Sequence, residues 1–176
     1  MAALFHFSED PTILRFEPRP RPTDPGAPPV VWAIDEEHAP HYYVPRDCPR
    51  VCFWARPDSS PSDVARFFGH TTARKIIAIE SSWLERVRNA CLYRYQLPAD
   101  GFSLVDEPAG YYGSTEPVAP LSIEPMRDLL GRLVESGVEL RITPSLSPLR
   151  NALVAATLDF SMIRMGNATP ETGRPL

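Results

Sequence analysis

Apolar and polar positions alternate along this chain in short segments of two different periods. LFHF (4–7), VVWAI (30–34), RVCFWA (50–55), RKIIAIE (74–80) and CLYRYQL (91–97) show the period-two or continuous apolar pattern of strands. GFSLV (101–105), AGYYGS (109–114) and VELRIT (138–143) are shorter strand candidates. SSPSDVARFFG (59–69) reads as a capped helix that starts near Pro61 or Ser62 and stops at Gly69, and SSWLERVRNA (81–90) as another. DEEHAPHYY (35–43) suits a short helix with acids in its first turn, distorted or restarted at Pro40.

The helical period is clearest from Ser122, an N-cap candidate. Pro125 falls in the first turn, Ile123, Met126, Leu130, Leu133 and Val134 share a face, and Gly137 supplies the stop. PLRNALVAATLDF (148–160) predicts a last helix, and the polar residues 167–176 a frayed tail. Strands and helices mix without regular βαβ alternation. The expected class is therefore α+β: one domain over residues 1–166, with a strongly bent sheet or two small mixed sheets flanked by short helices.

Composition adds limits. The 176 residues are 43% hydrophobic and 23% charged, enough for one sizeable core. Proline, at 21 residues, is about twice its usual frequency, and residues 18–29 hold six of them, which predicts an extended loop. A net charge of -4 gives no broad attraction to nucleic acid or an anionic membrane. No apolar run approaches the roughly 20 residues that span a bilayer. The acids at Glu9 and Asp10 argue against a secretory leader, and three cysteines form no even framework, so a reducing cytoplasm is expected.

Four constellations carry chemistry. His38, His41, Cys48 and Cys52 are zinc-ligand types, but Cys52 sits inside an apolar run, Pro40 and Pro49 interrupt the presenting segments, and no metal is expected. Cys48 lies between Arg46 and Arg50, which can lower a thiol pKa, yet no catalytic-Cys or GxSxG signature accompanies it. Asp35, Glu36, Glu37 and His38 can act as acid and base in a hydrolase or form a solvated helix start. The fourth constellation is dispersed: His6 in the first strand, Tyr42 and Tyr43 behind the second, and Glu116 after YYGS. A histidine can hydrogen-bond a ribose hydroxyl, a tyrosine can stack on a flat cationic ring, and a carboxylate can stabilise an oxocarbenium ion.

The segments LFHFSEDPTILRFEPRP, VVWAIDEEHAPHYYVPRDCPRV, GHTTARKIIAIE, GYYGSTEPVAPLS and FSMIRMGNA resemble a bacterial family of functionally uncharacterised small proteins, over nearly the whole chain. Leu-Phe-His on a first strand, Ala-x-x-x-Tyr after the second, and Glu-Pro-Val after an aromatic strand are also similar to the His-Tyr-Glu class of the ADP-ribosyltransferase-like fold. That resemblance implies NAD as co-substrate. It implies His6 as ribose ligand, Tyr43 (or Tyr42) as nicotinamide platform and Glu116 as catalytic carboxylate, to which Arg15 or Arg19 can add pyrophosphate pairing. Ser114 stands where arginine-modifying members carry Gln or Glu, so arginine is not implied as acceptor. The alternatives are a non-catalytic protein that binds a nucleotide or phospho-ligand in the same cleft, and the hydrolase above.

Overall fold

The computed structural model describes residues 3–20 and 26–170. The chain divides into two compact units, Met1–Arg46 with Ala90–Arg127, and Asp47–Asn89 with Asp128–Leu176. Each is built on one sheet, so the α+β class with two small sheets and short helices holds.

The first unit carries a six-stranded sheet in the order β6-β7-β2-β1-β5-β8. Its strands are β1 (Leu4–Ser8), β2 (Val31–Asp35), β5 (Leu92–Leu97), β6 (Ser103–Asp106), β7 (Tyr111–Ser114) and β8 (Ser122–Met126). Every pairing in it is antiparallel, so this sheet is not mixed. Leu4, Val31, Ala33, Tyr95 and Leu97 face one side and form a core with Phe16 and Val118. Phe16 and Val118 exchange backbone hydrogen bonds of 2.7 and 2.9 Å, which fasten the segment after β1 to the one after β7.

The second unit holds β10-β3-β4-β9, a mixed sheet in which only β4 and β9 run parallel. The strands are β3 (Arg50–Trp54), β4 (Lys75–Glu80), β9 (Glu139–Thr143) and β10 (Asp159–Ile163), with helices α1 (Pro61–Phe68), α2 (Leu84–Asn89), α3 (Leu129–Glu135) and α4 (Ser147–Val154). β3 and β4 are the inner strands, buried on both faces, which explains their continuous apolar sequences. Ser60 caps α1 by accepting from the Asp63 N–H at 3.2 Å and donating to the Asp63 carboxylate at 2.9 Å.

Three sequence expectations give way. Residues 122–126 form β8 rather than the start of a helix, because they pair with β5 from Leu92↔Met126 to Gln96↔Ser122. β8 is an edge strand, where Pro125 can sit without removing an inner ladder bond. The helix begins later, at Leu129. Its cap is Asp128, which takes the left-handed conformation (φ 51°) and accepts from the Gly131 N–H at 3.2 Å. The last helix ends at Val154, since residues 159–163 become β10 against β3. Residues 35–43 form a turn and a 3-10 helix, Ala39–Tyr42, with no acid in its first turn and proline at its start. Of the proline-rich loop and the polar tail, residues 21–25 and 171–176 lie outside the described residues. No helix among the described residues is long and apolar enough to cross a membrane.

Candidate functional site

β1 pairs with β5 along its full length, from Leu4↔Leu97 to Ser8↔Tyr93. Among the described residues its pairing with β2 stops after Leu4↔Asp35 and Phe5↔Ile34. Beyond Phe5 the two strands open as a fork, and the His6 side chain enters it. His6 Nδ1 lies 2.9 Å from the Trp32 carbonyl oxygen. A carbonyl only accepts, so Nδ1 carries the proton and Nε2 is left as an acceptor. Burial pushes the His6 pKa below its ordinary value. The Trp32 carbonyl opposes this shift, and the positive charges of Arg46 and Arg19 reinforce it. His6 is therefore held neutral, with Nε2 as its acceptor.

The elements around it explain this placement. The Phe16 ring packs on the His6 ring at 4.7 Å and edge-on to Tyr95 at 5.2 Å. Tyr95, buried opposite His6 on β5, donates its hydroxyl to the Asp10 carbonyl at 2.6 Å and accepts from the Ile13 N–H at 3.3 Å. These bonds hold the chain that leads from β1 to Phe16. Arg19 then exchanges backbone hydrogen bonds with Val30, just before β2, at 3.1 and 3.2 Å. The Arg46 N–H donates to Glu9, just beyond β1, at 3.3 Å.

Topology brings Glu116 to the same end of the sheet. β2 runs antiparallel to both β1 and β7, so the end of β1, the start of β2 and the end of β7 lie together. Glu116 is two residues past β7. Its N–H donates to Ser114 Oγ at 3.2 Å, which fixes the turn and leaves the side chain exposed.

Tyr42 and Tyr43 meet the opposite face. Their rings lie 6.3 and 5.5 Å from Phe7, the neighbour of His6 on β1. Side chains alternate along a strand, so Phe7 and His6 point to opposite faces of the sheet. Tyr42 also donates to the Tyr111 hydroxyl at 3.0 Å. Arg15 pairs with Glu17 at 3.1 Å on the surface. Arg46 is the residue that the sequence reading did not include here. Its signal was present in PRDCPR, but nothing in the sequence tied that turn to β1.

His38 Nδ1 and the His38 N–H both meet one oxygen of Asp35, at 2.8 and 2.9 Å, which closes the turn after β2. Gly110 (φ +69°) packs its backbone there and accepts from the Asp35 N–H at 3.1 Å. His41 is fully buried, its ring 5.5 Å from that of His38. Among the described residues no three His, Cys, Asp or Glu side chains converge on a metal position. Burial pushes the Cys48 thiol up to about 12, against the opposing Arg50 charge. The Arg50 guanidinium is itself buried, and its Nη1 donates to the Cys48 carbonyl at 2.9 Å.

Compared with known proteins, the chain matches the model of a family of unknown function, DUF6886, over residues 5–168. No curated protein and no solved structure matches it.

Proposed function

The chain belongs to DUF6886, a family of unknown function, and from its own residues we propose that it is an NAD-dependent ADP-ribosyltransferase-like enzyme whose site is the fork between β1 and β2. The observation that carries this reading is His6 in the fork, its Nδ1 bound to the Trp32 carbonyl and its Nε2 left as acceptor, within the electrostatic influence of Arg46 and Arg19.

NAD offers groups of matching chemistry. Its pyrophosphate suits the two guanidiniums, which bind phosphate oxygens through paired N–H groups. A ribose hydroxyl can donate to His6 Nε2. As the C–N glycosidic bond breaks, nicotinamide leaves with the electron pair and positive charge develops on the ribose. The exposed carboxylate of Glu116, at the same end of the sheet, is the group to stabilise that charge. Attack at C1′ by water or another acceptor, with loss of its proton, completes the transfer. Tyr43, with Tyr42 behind it, stacks on nicotinamide if the ligand threads the fork from the His6 face to the Phe7 face.

Thermal unfolding with and without millimolar NAD, together with nicotinamide release, tests this. Binding at one hundred times the dissociation constant adds about 2.7 kcal/mol, a shift of roughly 5 to 10 °C. Glu116→Gln should keep that shift and lose nicotinamide release. No shift in the parent sinks the reading.

A second reading, a nucleotide or phospho-ligand binding protein without turnover, is favoured by Ser114. Its hydroxyl holds the backbone of Glu116 and does not stand ready to orient an acceptor. An NAD-induced shift without nicotinamide release from the parent would select it.

A further inference from the structure

Tyr95 lies directly across from His6, on the same face of the sheet, with its ring buried in the core of the first unit. A buried phenol needs partners for its hydroxyl. Here both come from the segment that follows β1: the Asp10 carbonyl accepts at 2.6 Å, and the Ile13 N–H donates at 3.3 Å. The turn between those two residues is closed from its own side as well. Ser8 Oγ accepts from the Asp10 N–H at 3.1 Å, and Asp10 Oδ1 accepts from the N–H and the hydroxyl of Thr12 at 2.8 and 2.7 Å. Residues 8–13 thus form a compact strap that Tyr95 ties to β5.

The strap leads to Phe16. Its backbone is pinned to Val118, and its ring meets His6 at 4.7 Å with a 48° tilt and Tyr95 edge-on at 5.2 Å. The His6 ring is therefore restrained twice, in its plane by the Nδ1 bond to the Trp32 carbonyl and across one face by Phe16. In a close-packed interior, a rotation that breaks the first contact also pushes against the second.

We propose that Tyr95 is a positioning residue for His6: by tying residues 10–13 to β5 it holds Phe16 on the imidazole, and so fixes the direction in which Nε2 meets a ligand. This rests on the fork being the site, and its main test does not require NAD to be the ligand.

That test follows the His6 ring nitrogens of the ligand-free full chain by heteronuclear NMR across a pH titration, with the signal assigned by its loss in His6→Gln. The parent should show one tautomer, with the proton on Nδ1. Tyr95→Phe keeps the ring in the core and removes the hydroxyl, which leaves the Asp10 carbonyl and the Ile13 N–H to seek water. The strap should then loosen and water should reach His6. Its pKa should rise toward the ordinary value, and the single tautomer should give way to a mixture. The charges of Arg46 and Arg19, which also lower that pKa, stay in place. Asp10→Ala opens the same turn from its exposed side and should move His6 the same way without touching the core. Tyr93→Phe, on the same strand, removes a hydroxyl that takes no part in these bonds and should leave the His6 titration as in the parent. In a Phe16→Leu background, Tyr95→Phe should add little, because its effect travels through Phe16.

A parent-like tautomer and titration in Tyr95→Phe, or in Asp10→Ala should Tyr95→Phe fail to fold, would overturn the proposal. So would a parent that already shows a mixture of tautomers, or full additivity with Phe16→Leu. Where the parent binds NAD, Tyr95→Phe should weaken that binding, and equal binding would count against it. A parent without an NAD-induced shift sinks the NAD reading and leaves the His6 test standing.

Discussion

His6 on β1 donates its Nδ1 proton to the Trp32 carbonyl on β2 across 2.9 Å, where a backbone ladder would otherwise supply the donor. The side chain thus holds the fork and leaves Nε2 available for a ligand. A group that does both jobs separates under mutation. His6→Ala should lower stability by about 1–3 kcal/mol without any ligand, the usual cost of leaving such an acceptor unsatisfied. It should also remove any NAD-induced shift. Denaturant unfolding of both proteins checks the first effect, and loss of the shift with unchanged stability would contradict the structural one.

The same residue sets a pH dependence. Its folded pKa is depressed, so the unfolded chain binds the proton first as pH falls. The stabilisation is fully present above the unfolded value of about 6.5 and is lost as pH falls from there through the lower folded value. Stability of the parent should therefore rise with pH over that window more steeply than that of His6→Gln. Parallel slopes would show that His6 titrates alike in both states.

Gly110 is the second point of tight geometry. A Cβ there would lie 2.3 Å from His38 Nδ1 and 2.6 Å from Asp35 Oδ2, in a backbone already at φ +69°. Gly110→Ala should cost about 3 kcal/mol, combining a strained left-handed residue with a displaced hydrogen-bonded pair. Asp35→Asn, which retains an acceptor for the His38 N–H, should cost less. A Gly110→Ala protein as stable as the parent would mean that the turn after β2 is free to shift.

Glu80 holds the second unit from inside. It is fully buried and accepts from the Leu146 N–H at 3.0 Å and from both donors of Thr169. Glu80→Ala leaves these donors unsatisfied at about 1–3 kcal/mol for each that stays buried. Limited proteolysis after residue 163 should then accelerate, because the segment that follows β10 loses its far anchor at Thr169. Unchanged cleavage would place the restraint on that segment elsewhere.

The thiols should differ in reactivity. Cys48 and Cys52 are fully buried, with thiols pushed up to about 12, whereas Cys91 is half-buried. A thiol reagent at neutral pH should modify Cys91 first and reach the other two only on unfolding. Fast modification of Cys48 would indicate local opening of the turn before β3.

Period and punctuation by themselves determined the α+β class, the inner strands β3 and β4, and a capped helix α1, because these follow from local pattern and burial on both faces. The cap itself, Ser60, emerged only in the structure. Side-chain chemistry and the family resemblance also marked His6, Tyr42, Tyr43, Arg15, Arg19 and Glu116 as candidate site residues. Tertiary pairing decided the rest. Residues 122–126 have a helical spacing of apolar side chains, yet β5 offers them an edge, and hydrogen bonds to a neighbouring strand outweigh an intrinsic preference worth only tenths of a kcal/mol per residue. Residues 159–163 pass from an expected helix to β10 for the same reason. The fork itself was invisible in the sequence. Where β1 stops pairing with β2 depends on which donor reaches the Trp32 carbonyl. That donor is a side chain 26 positions away in sequence, brought there by the fold.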